Sequence, residues 1–367
     1  MQWRTLVGTA VAGLLTLTGI STGQSAPGSF VDPLHMVDTI ASTVPANGDV
    51  NPYGVAVVPQ DRGSLRQGDV LVSNFNASSN LQGTGTTIVQ ISPSGAVSTF
   101  ARIDPAHLPG ACPGGVGLTT ALVVLRSGWV VVGSLPTTDG TSATARAGCL
   151  IVLDSHGRAR QTMAGYGING PWDMTARDGG DSVDLFVTNV LNGTVAGSPA
   201  TVRKGTVLRL RVAVGDDTFQ LRSVTRIGSG FAERTDPAAL VVGPTGVGLG
   251  RDGTLYVADS VDNRITAIPY ALTRADSAGT GQVVTAGGNL NTPLGLVVAP
   301  GGDVLTVNAG DGNLVETTSS GSQIAVRALD SSGTPPGAGA LFGLAVCPGA
   351  RAVYFVDDAT NTLDILH

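Results

Sequence analysis

The chain has 367 residues, of which 42% are hydrophobic and only 13% are charged, about half the charged share of an ordinary soluble domain. Lysine occurs once, at Lys204, and glutamate twice, at Glu233 and Glu316, whereas glycine fills 52 positions. Lys and Glu favour helices, while Gly, Thr, Val and Asp favour strands and turns. The composition therefore excludes a mostly helical protein, and the apolar content excludes a disordered one.

The N-terminus has the pattern of a secretory signal peptide. An arginine is followed by an uncharged apolar stretch and then by small residues. The apolar stretch is shorter than the roughly 20 residues that a membrane-spanning helix needs. We expect residues 1–26 to be the signal peptide, cleaved after Gly23 or Ala26, and residues 27–367 to form one domain without a membrane span. This domain is expected to be secreted or periplasmic.

The charge balance restricts the partners. Without Arg4, 20 Arg and Lys residues stand against 27 Asp and Glu residues, a net charge of −7. Nucleic-acid binding needs clustered cations, and the sequence offers only Arg203-Lys204. We therefore exclude nucleic acid and expect a monomer whose partner is a small molecule, a glycan or a protein.

The three cysteines allow one disulfide. In an oxidising compartment Cys112 and Cys149, which fall in one repeat unit, are the favoured pair. Cys347 follows a strand-like apolar run and is expected to be a small buried residue. None of the cysteines has the spacing of a zinc site.

Six segments along the chain share one plan: an apolar strand, a turn often built on Gly and Asp, and a second strand ending in a polar residue. The first strands are predicted to begin at Pro52, Gly115, Pro171, Pro244, Pro293 and Leu341. The second strands end at Asn74, Ser134, Asn189, Asp259, Asn308 and Asp357.

This repeat predicts an all-β, six-bladed β-propeller. The strand starts lie 48 to 73 residues apart, which suits a four-stranded blade with variable loops. A stacked solenoid would need polar capping units, and the sequence has none. The sixth unit stops after its third strand, and residues 36–44 alternate as a strand should. We expect this N-terminal strand to close the last blade.

The fourth unit, residues 244–265, resembles an NHL repeat in its run Pro-Thr-Gly-Val-Gly-Leu and in the later Asp-Gly-Thr-Leu-Tyr-Val-Ala-Asp. The likeness is sharp in units four to six and extends in layout over about residues 36–367. It implies a propeller of the NHL type with a TolB-like or gluconolactonase-like layout. That is a statement about fold and not about activity.

Two rings of residues are predicted to meet at one mouth of the propeller. The strand-start ring comprises Tyr53, Val116, Trp172, Thr245, Leu294 and Phe342. The strand-end ring comprises Asn74, Ser134, Asn189, Asp259, Asn308 and Asp357. Asp and Asn oxygens suit calcium, but at strand ends they also bond their own backbone and set the following turn, and we favour this second interpretation.

The resemblance to lactonases implies metal-binding Glu, Asn or Asp residues at strand starts, and this chain has none there. The resemblance to propeller lyases implies three histidines on zinc. Here the histidines are scattered, at His35, His107, His156 and His367. We therefore predict no metal and no cofactor.

Four residues of the strand-start region stand out. Tyr53, Trp172 and Phe342 could line a ligand-binding mouth or plug the channel. Asp173 occupies a position where the other units have glycine, so its carboxyl group is an acid–base or ligand candidate, or else caps its own turn. Glu233 and Asp236 are predicted in a loop on the same mouth.

The leading hypothesis is a binding scaffold that uses the strand-start face of the channel. Its candidate binding residues are Tyr53, Trp172, Asp173, Asn189, Asp259, Asn308, Phe342 and Asp357. The first alternative is a hydrolase or lyase built around Asp173 with the loop acids. The second is a structural protein without a small ligand.

Overall fold

The structure, a computed structural model, describes residues 28–367, so the predicted signal peptide lies outside the described residues. Six antiparallel sheets are arranged in a ring, and the innermost strand of each sheet contacts those of its two neighbours. The predicted six-bladed β-propeller is confirmed.

The first three blades follow the closing strand in chain order, each sheet running from the channel outward. The strands are β1 (Val37–Ser42); in blade one β2 (Val50–Val57), β3 (Val70–Asn76), β4 (Thr87–Ile91) and β5 (Val97–Arg102); in blade two β6 (Leu118–Val124), β7 (Val130–Ser134), β8 (Cys149–Leu153) and β9 (Ala159–Met163); and in blade three β10 (Gly170–Asp178), β11 (Ser182–Val190), β12 (Val202–Val214), β13 (Phe219–Asp236) and β14 (Leu240–Val242).

The last three blades are more regular. Their strands are β15 (Pro244–Leu249), β16 (Leu255–Asp259), β17 (Arg264–Ile268) and β18 (Gln282–Ala286); β19 (Pro293–Val298), β20 (Val304–Asn308), β21 (Asn313–Thr317) and β22 (Gln323–Ala328); and β23 (Leu341–Val346), β24 (Val353–Asp357) and β25 (Thr362–Leu366). The helices among residues 28–367 are the 3-10 turns Pro105–His107 and Ser142–Thr144 and the single turn α1 (Thr194–Gly197). No described helix is long and apolar enough to cross a membrane.

The N-terminal strand closes the ring, as predicted. Strand β1 pairs antiparallel with β25, from Val37 opposite Leu366 to Ser42 opposite Thr362. The backbone of His367 exchanges hydrogen bonds with Met36 at 2.9 and 3.0 Å. The outer edge of β25 is therefore paired rather than left open.

Strands near the middle of a blade are buried on both faces because each blade packs between two others. Every residue of β3, β4, β7 and β8 is buried. Their Val, Leu and Ile side chains each contribute about 1.5–3 kcal/mol when removed from water. This explains the near-continuous apolar runs in the sequence.

The first strand of blade two begins three residues later than predicted. Leu118 pairs with Ser134, and the predicted start, Gly115, lies in the preceding turn. The Ser134 hydroxyl donates to the Gly115 carbonyl at 3.0 Å and accepts the Gly117 N–H at 3.0 Å, which holds this turn outside the sheet. Val116 is consequently not a member of the strand-start ring.

Blade three differs from the others by a fifth strand. Strand β13 is 18 residues long and ends in a short hairpin with β14, in which Asp236 faces Leu240. The segment 230–237 was predicted to be a loop. Most of it is strand instead, because Glu233 pairs with Val202 of β12.

Candidate functional site

The innermost strands surround a cavity of about 380 Å³ along the propeller axis. It is lined by the second halves of these strands, so it lies toward the face where the first strands end. Most of the lining is aliphatic, including Leu122, Leu249 and Leu344. Its ionisable lining residues are Asp173 and Asp178, and no basic residue lines it.

Asp173 holds its carboxylate in the wall between blades three and four. Oδ1 accepts the N–H of Met174 at 2.8 Å, and Oδ2 accepts the N–H of Val247 at 3.0 Å. The adjoining Thr188 hydroxyl donates to the Thr245 carbonyl at 2.6 Å and so also joins the two blades. The Asp173 side chain thus both bridges two blades and contributes to the cavity wall.

The pKa of Asp173 is raised to about 7, because burial disfavours the charged form more than the two N–H donors stabilise it. The described structure places no ion-pair partner on it. A carboxyl group with a pKa near neutrality can bind a cation when ionised and can donate a hydrogen bond when protonated.

Asp173 replaces a glycine found in most blades. At Gly246 and Gly343 an added Cβ would overlap a carbonyl oxygen of the next blade, that of Leu294 or Tyr53. Between blades three and four the aspartate side chain itself bonds to the neighbouring strand at Val247. Where the other blades have a glycine packed against the next strand, blade three therefore has a carboxylate in the channel wall.

Tyr53, Trp172 and Phe342 fill the channel at the strand-start end. The Tyr53 ring stacks on Phe342 at 3.9 Å and on Phe75 at 4.5 Å between centroids. Tyr53, Trp172 and Phe342 are only 3%, 3% and 1% exposed. The rings pack on one another and under residues 239–242, so they close this end of the channel rather than line an open mouth.

The strand-end ring lies in the interior and supports the loops. Asn189, Asp259 and Asn308 are fully buried and Asp357 nearly so. Asp259 Oδ2 accepts from Arg264 at 2.7–2.8 Å, and the Asn308 amide donates to the Asn289 carbonyl at 2.8 Å. Asp357 accepts the N–H of Thr360 at 3.2 Å. Only the Asp357 contact is with the backbone of the turn that follows its own strand. Asp259 bonds an arginine side chain, and Asn308 bonds a loop that precedes it in the chain.

Burial raises the pKa of Asp259 to about 6, although Arg264 opposes the shift. Burial also raises the pKa of Asp357 to about 6, with a further contribution from the nearby Asp330. Both shifts come from desolvation and need no ligand to explain them.

The acids predicted to join Asp173 do not line the cavity. Glu233 is fully buried and accepts the N–H of Asn192 at 2.9 Å, whereas Asp236 pairs with Arg234 at 3.0 Å. The structure therefore does not assemble the acid set expected for the alternative enzyme.

The remaining candidates are dispersed. Within residues 28–367 no three His, Cys, Asp or Glu side chains converge to hold a metal ion. His107 and His367 bond to the exposed Asp104 and Asp38. Cys112 and Cys149 form a disulfide, and Cys347 is half-buried beside Tyr354, not fully buried as expected.

Solved structures with this fold include three propellers of different function. The chain is similar to a gluconolactonase from Xanthomonas campestris (15% identical, TM-score 0.57, 92% of this chain and 90% of that one). It is similar to the calcium-binding protein regucalcin from Agrobacterium tumefaciens (14% identical, TM-score 0.56, 89% of this chain and 92% of that one). It is also similar to a streptogramin B lyase (13% identical, TM-score 0.54, 92% of this chain and 99% of that one). No protein-family model and no curated protein matches the chain. At this identity the likeness establishes the fold alone.

The resemblance to lactonases implies metal ligands at strand-start positions. Three of these positions are occupied by the packed rings of Tyr53, Trp172 and Phe342. These side chains offer no carboxylate or amide oxygen to a cation.

Sequence reasoning missed two features of the site. It did not predict the hairpin containing Leu240, which covers the strand-start end of the channel, and it did not predict the cavity toward the other end. The only signal was the apolar run from Ala238 to Val242, which resembles an ordinary strand.

Proposed function

We propose that the protein binds a small, largely apolar molecule carrying a cationic group in its central channel. The observation that carries this proposal is the cavity of about 380 Å³ with aliphatic walls and the Asp173 carboxyl group in one wall. Apolar cavities with a few placed polar groups are the usual form of small-molecule sites. The acidic wall and the absence of lining cations favour a positive ligand. We also propose that the protein is exported and acts as a monomer.

The test compares three six-carbon probes with different head groups: hexylamine, hexanol and hexanoate. Each is titrated calorimetrically at pH 8. We expect hexylamine to bind at least tenfold more tightly than hexanoate, because the ionised Asp173 attracts the ammonium group and repels the carboxylate. At pH 5 the amine should bind more weakly, because the pKa of Asp173 is about 7 and the carboxyl group is then protonated.

The variant Asp173→Gly restores the residue that most blades have and should reduce the preference for the amine to what Asp178, the other acid of the lining, supplies. Asp216→Asn removes the same charge from an exposed turn and serves as the control. The proposal fails if no probe binds saturably, or if Asp173→Gly retains the full wild-type preference.

A second candidate is a hydrolase or lyase in which Asp173 acts as a general acid or base. The pKa of about 7 favours it, since proton transfer is most effective when the pKa lies near the working pH. Gluconolactone is the first substrate to test, because a gluconolactonase shares the fold. Activity that depends on Asp173, with a pH profile that breaks near 7, would support this candidate. Turnover equal in wild type and Asp173→Gly would exclude it.

A further inference from the structure

The hairpin at the end of blade three lies across the strand-start end of the channel. Residues 239–242 are 0–5% exposed and belong to the same buried cluster as Tyr53, Trp172 and Phe342. Among the six described sheets only that of blade three has a fifth strand. One short segment thus fills a recess whose walls come from several other blades.

Two backbone carbonyls of the segment bond to side chains outside the hairpin. The Val241 carbonyl accepts the indole N–H of Trp172 at 3.0 Å, and the Pro237 carbonyl accepts the Gln82 amide at 2.8 Å. The backbone of residues 240–242 also pairs with β13, and the buried contacts with the recess are made by apolar side chains such as Leu240. Extended peptides are commonly recognised by backbone hydrogen bonds together with pockets for their side chains.

The fit of the hairpin in the recess is imperfect. Leu240 has a φ of +62°, in the left-handed region that is unfavourable for leucine. The Tyr53 hydroxyl is buried beside the Asn51 side chain, and among the described residues neither it nor Asn51 Oδ1 makes a well-formed hydrogen bond. Burial and the nearby Asp358 raise the pKa of Tyr53 well above its usual value, so this hydroxyl stays a neutral donor. A separate peptide could take an ordinary extended conformation and present a carbonyl to Tyr53.

We propose that the strand-start recess is a binding site for a short, extended apolar peptide, and that residues 239–242 occupy it as an intramolecular ligand. The indole N–H of Trp172 and the hydroxyl of Tyr53 are its hydrogen-bond donors, and the stacked rings form its floor. The stacked rings separate this site from the cavity that contains Asp173, although Trp172 and Asp173 are consecutive residues of β10.

The test removes residues 239–241 of the intramolecular occupant and keeps Val242 at the end of the new turn. Arg234 and Val242 face each other in the hairpin, so residues 235–241 can be replaced by Asn-Gly, the two-residue turn that joins paired positions. The probe is the acetylated and amidated peptide Ala-Leu-Val-Val, the sequence of residues 239–242. We expect 1:1 binding to the shortened protein and at least tenfold weaker binding to the wild type, where the hairpin competes at high effective concentration.

Two comparisons establish where the peptide binds. In the shortened protein, Trp172→Phe keeps an apolar ring and removes the indole donor, and it should weaken binding about tenfold. The control peptide Ala-Asp-Val-Val, with a charge in place of the buried leucine, should not bind. A shortened protein that unfolds cooperatively but binds no peptide would show that the hairpin is only a structural plug. Binding that is unaffected by Trp172→Phe would equally overturn the proposal.

A milder variant covers the case in which the shortened protein does not fold. Leu240→Gly keeps the hairpin, removes its buried side chain and suits the positive φ. It should bind the Ala-Leu-Val-Val peptide more tightly than the wild type. Equal binding, or none to either protein, would contradict the intramolecular-ligand model.

Discussion

Buried carboxyl groups without cations are the main feature at the scale of single residues. Burial raises the pKa of Asp173, Glu233 and Asp358 to about 7. Among the described residues none of these three carboxyl groups forms an ion pair, although Lys204 lies near enough to Glu233 to oppose its shift. These groups favour their neutral form, so the folded state binds more protons than the unfolded state in mildly acidic solution.

Glu233 gives the cleanest test of this pH dependence. Its folded pKa of about 7 exceeds the ordinary value of 4.5, so its contribution to stability is complete below pH 4.5 and is lost as the pH rises through 7. That loss amounts to roughly 3 kcal/mol. We expect Glu233→Gln to be more stable than the wild type at pH 8 and to show a flatter pH dependence, measured by urea unfolding between pH 4.5 and 8.

The matched control is Asp216→Asn, which removes one carboxylate from an exposed turn. A Glu233→Gln protein that keeps the full wild-type slope would show that Glu233 is not protonated in the folded state.

At the scale of elements, the segment before β1 acts as a strap between blades five and six. Phe30, Val31 and Leu34 are buried in the cluster formed by these blades. The fully buried Glu316 carboxylate accepts the N–H of Phe30 at 2.7 Å, the N–H of Val31 at 2.9 Å and the Ser29 hydroxyl. Unlike Glu233, this glutamate has a donor on each oxygen.

Replacing Glu316 with alanine should detach this strap. The change leaves the N–H groups of Phe30 and Val31 without partners, at a cost of about 3 kcal/mol. We expect a lower melting temperature and faster proteolytic cleavage in residues 28–36. The control is Asp32→Ala, which removes an exposed carboxylate from the same segment. Similar cleavage of both variants would mean that Glu316 does not anchor the strap.

At the scale of the whole molecule, the two ends of the channel differ. The strand-start end is closed by stacked rings and by the hairpin of Leu240, while the other end contains the cavity with Asp173. Ring closure through β1 and β25 fixes the six blades around this axis. The function proposed for the channel and the peptide site proposed for the closed end both depend on this asymmetry, which a six-fold repeat alone would not produce.

The sequence by itself determined the number of blades, the strand pattern and the closing strand. These follow from local signals: apolar alternation within each strand and Gly, Asp or Asn in the turns. Two predictions that proved wrong were also made from local patterns. An extra turn before Leu118 shifted the start of blade two, and the long pairing of β12 with β13 was not visible in residues 230–237.

Only the tertiary structure decided where a ligand could enter and which side chains it could reach. Trp172 meets Val241 across 69 residues, and Asp173 meets Val247 across 74. Such contacts depend on how neighbouring blades pack, and no local pattern encodes them. The sequence singled out Tyr53, Trp172, Asp173 and Phe342 as candidates from their positions in the repeat. Whether each is buried or faces the channel was decided by packing between blades, because burial depends on residues far away in the chain.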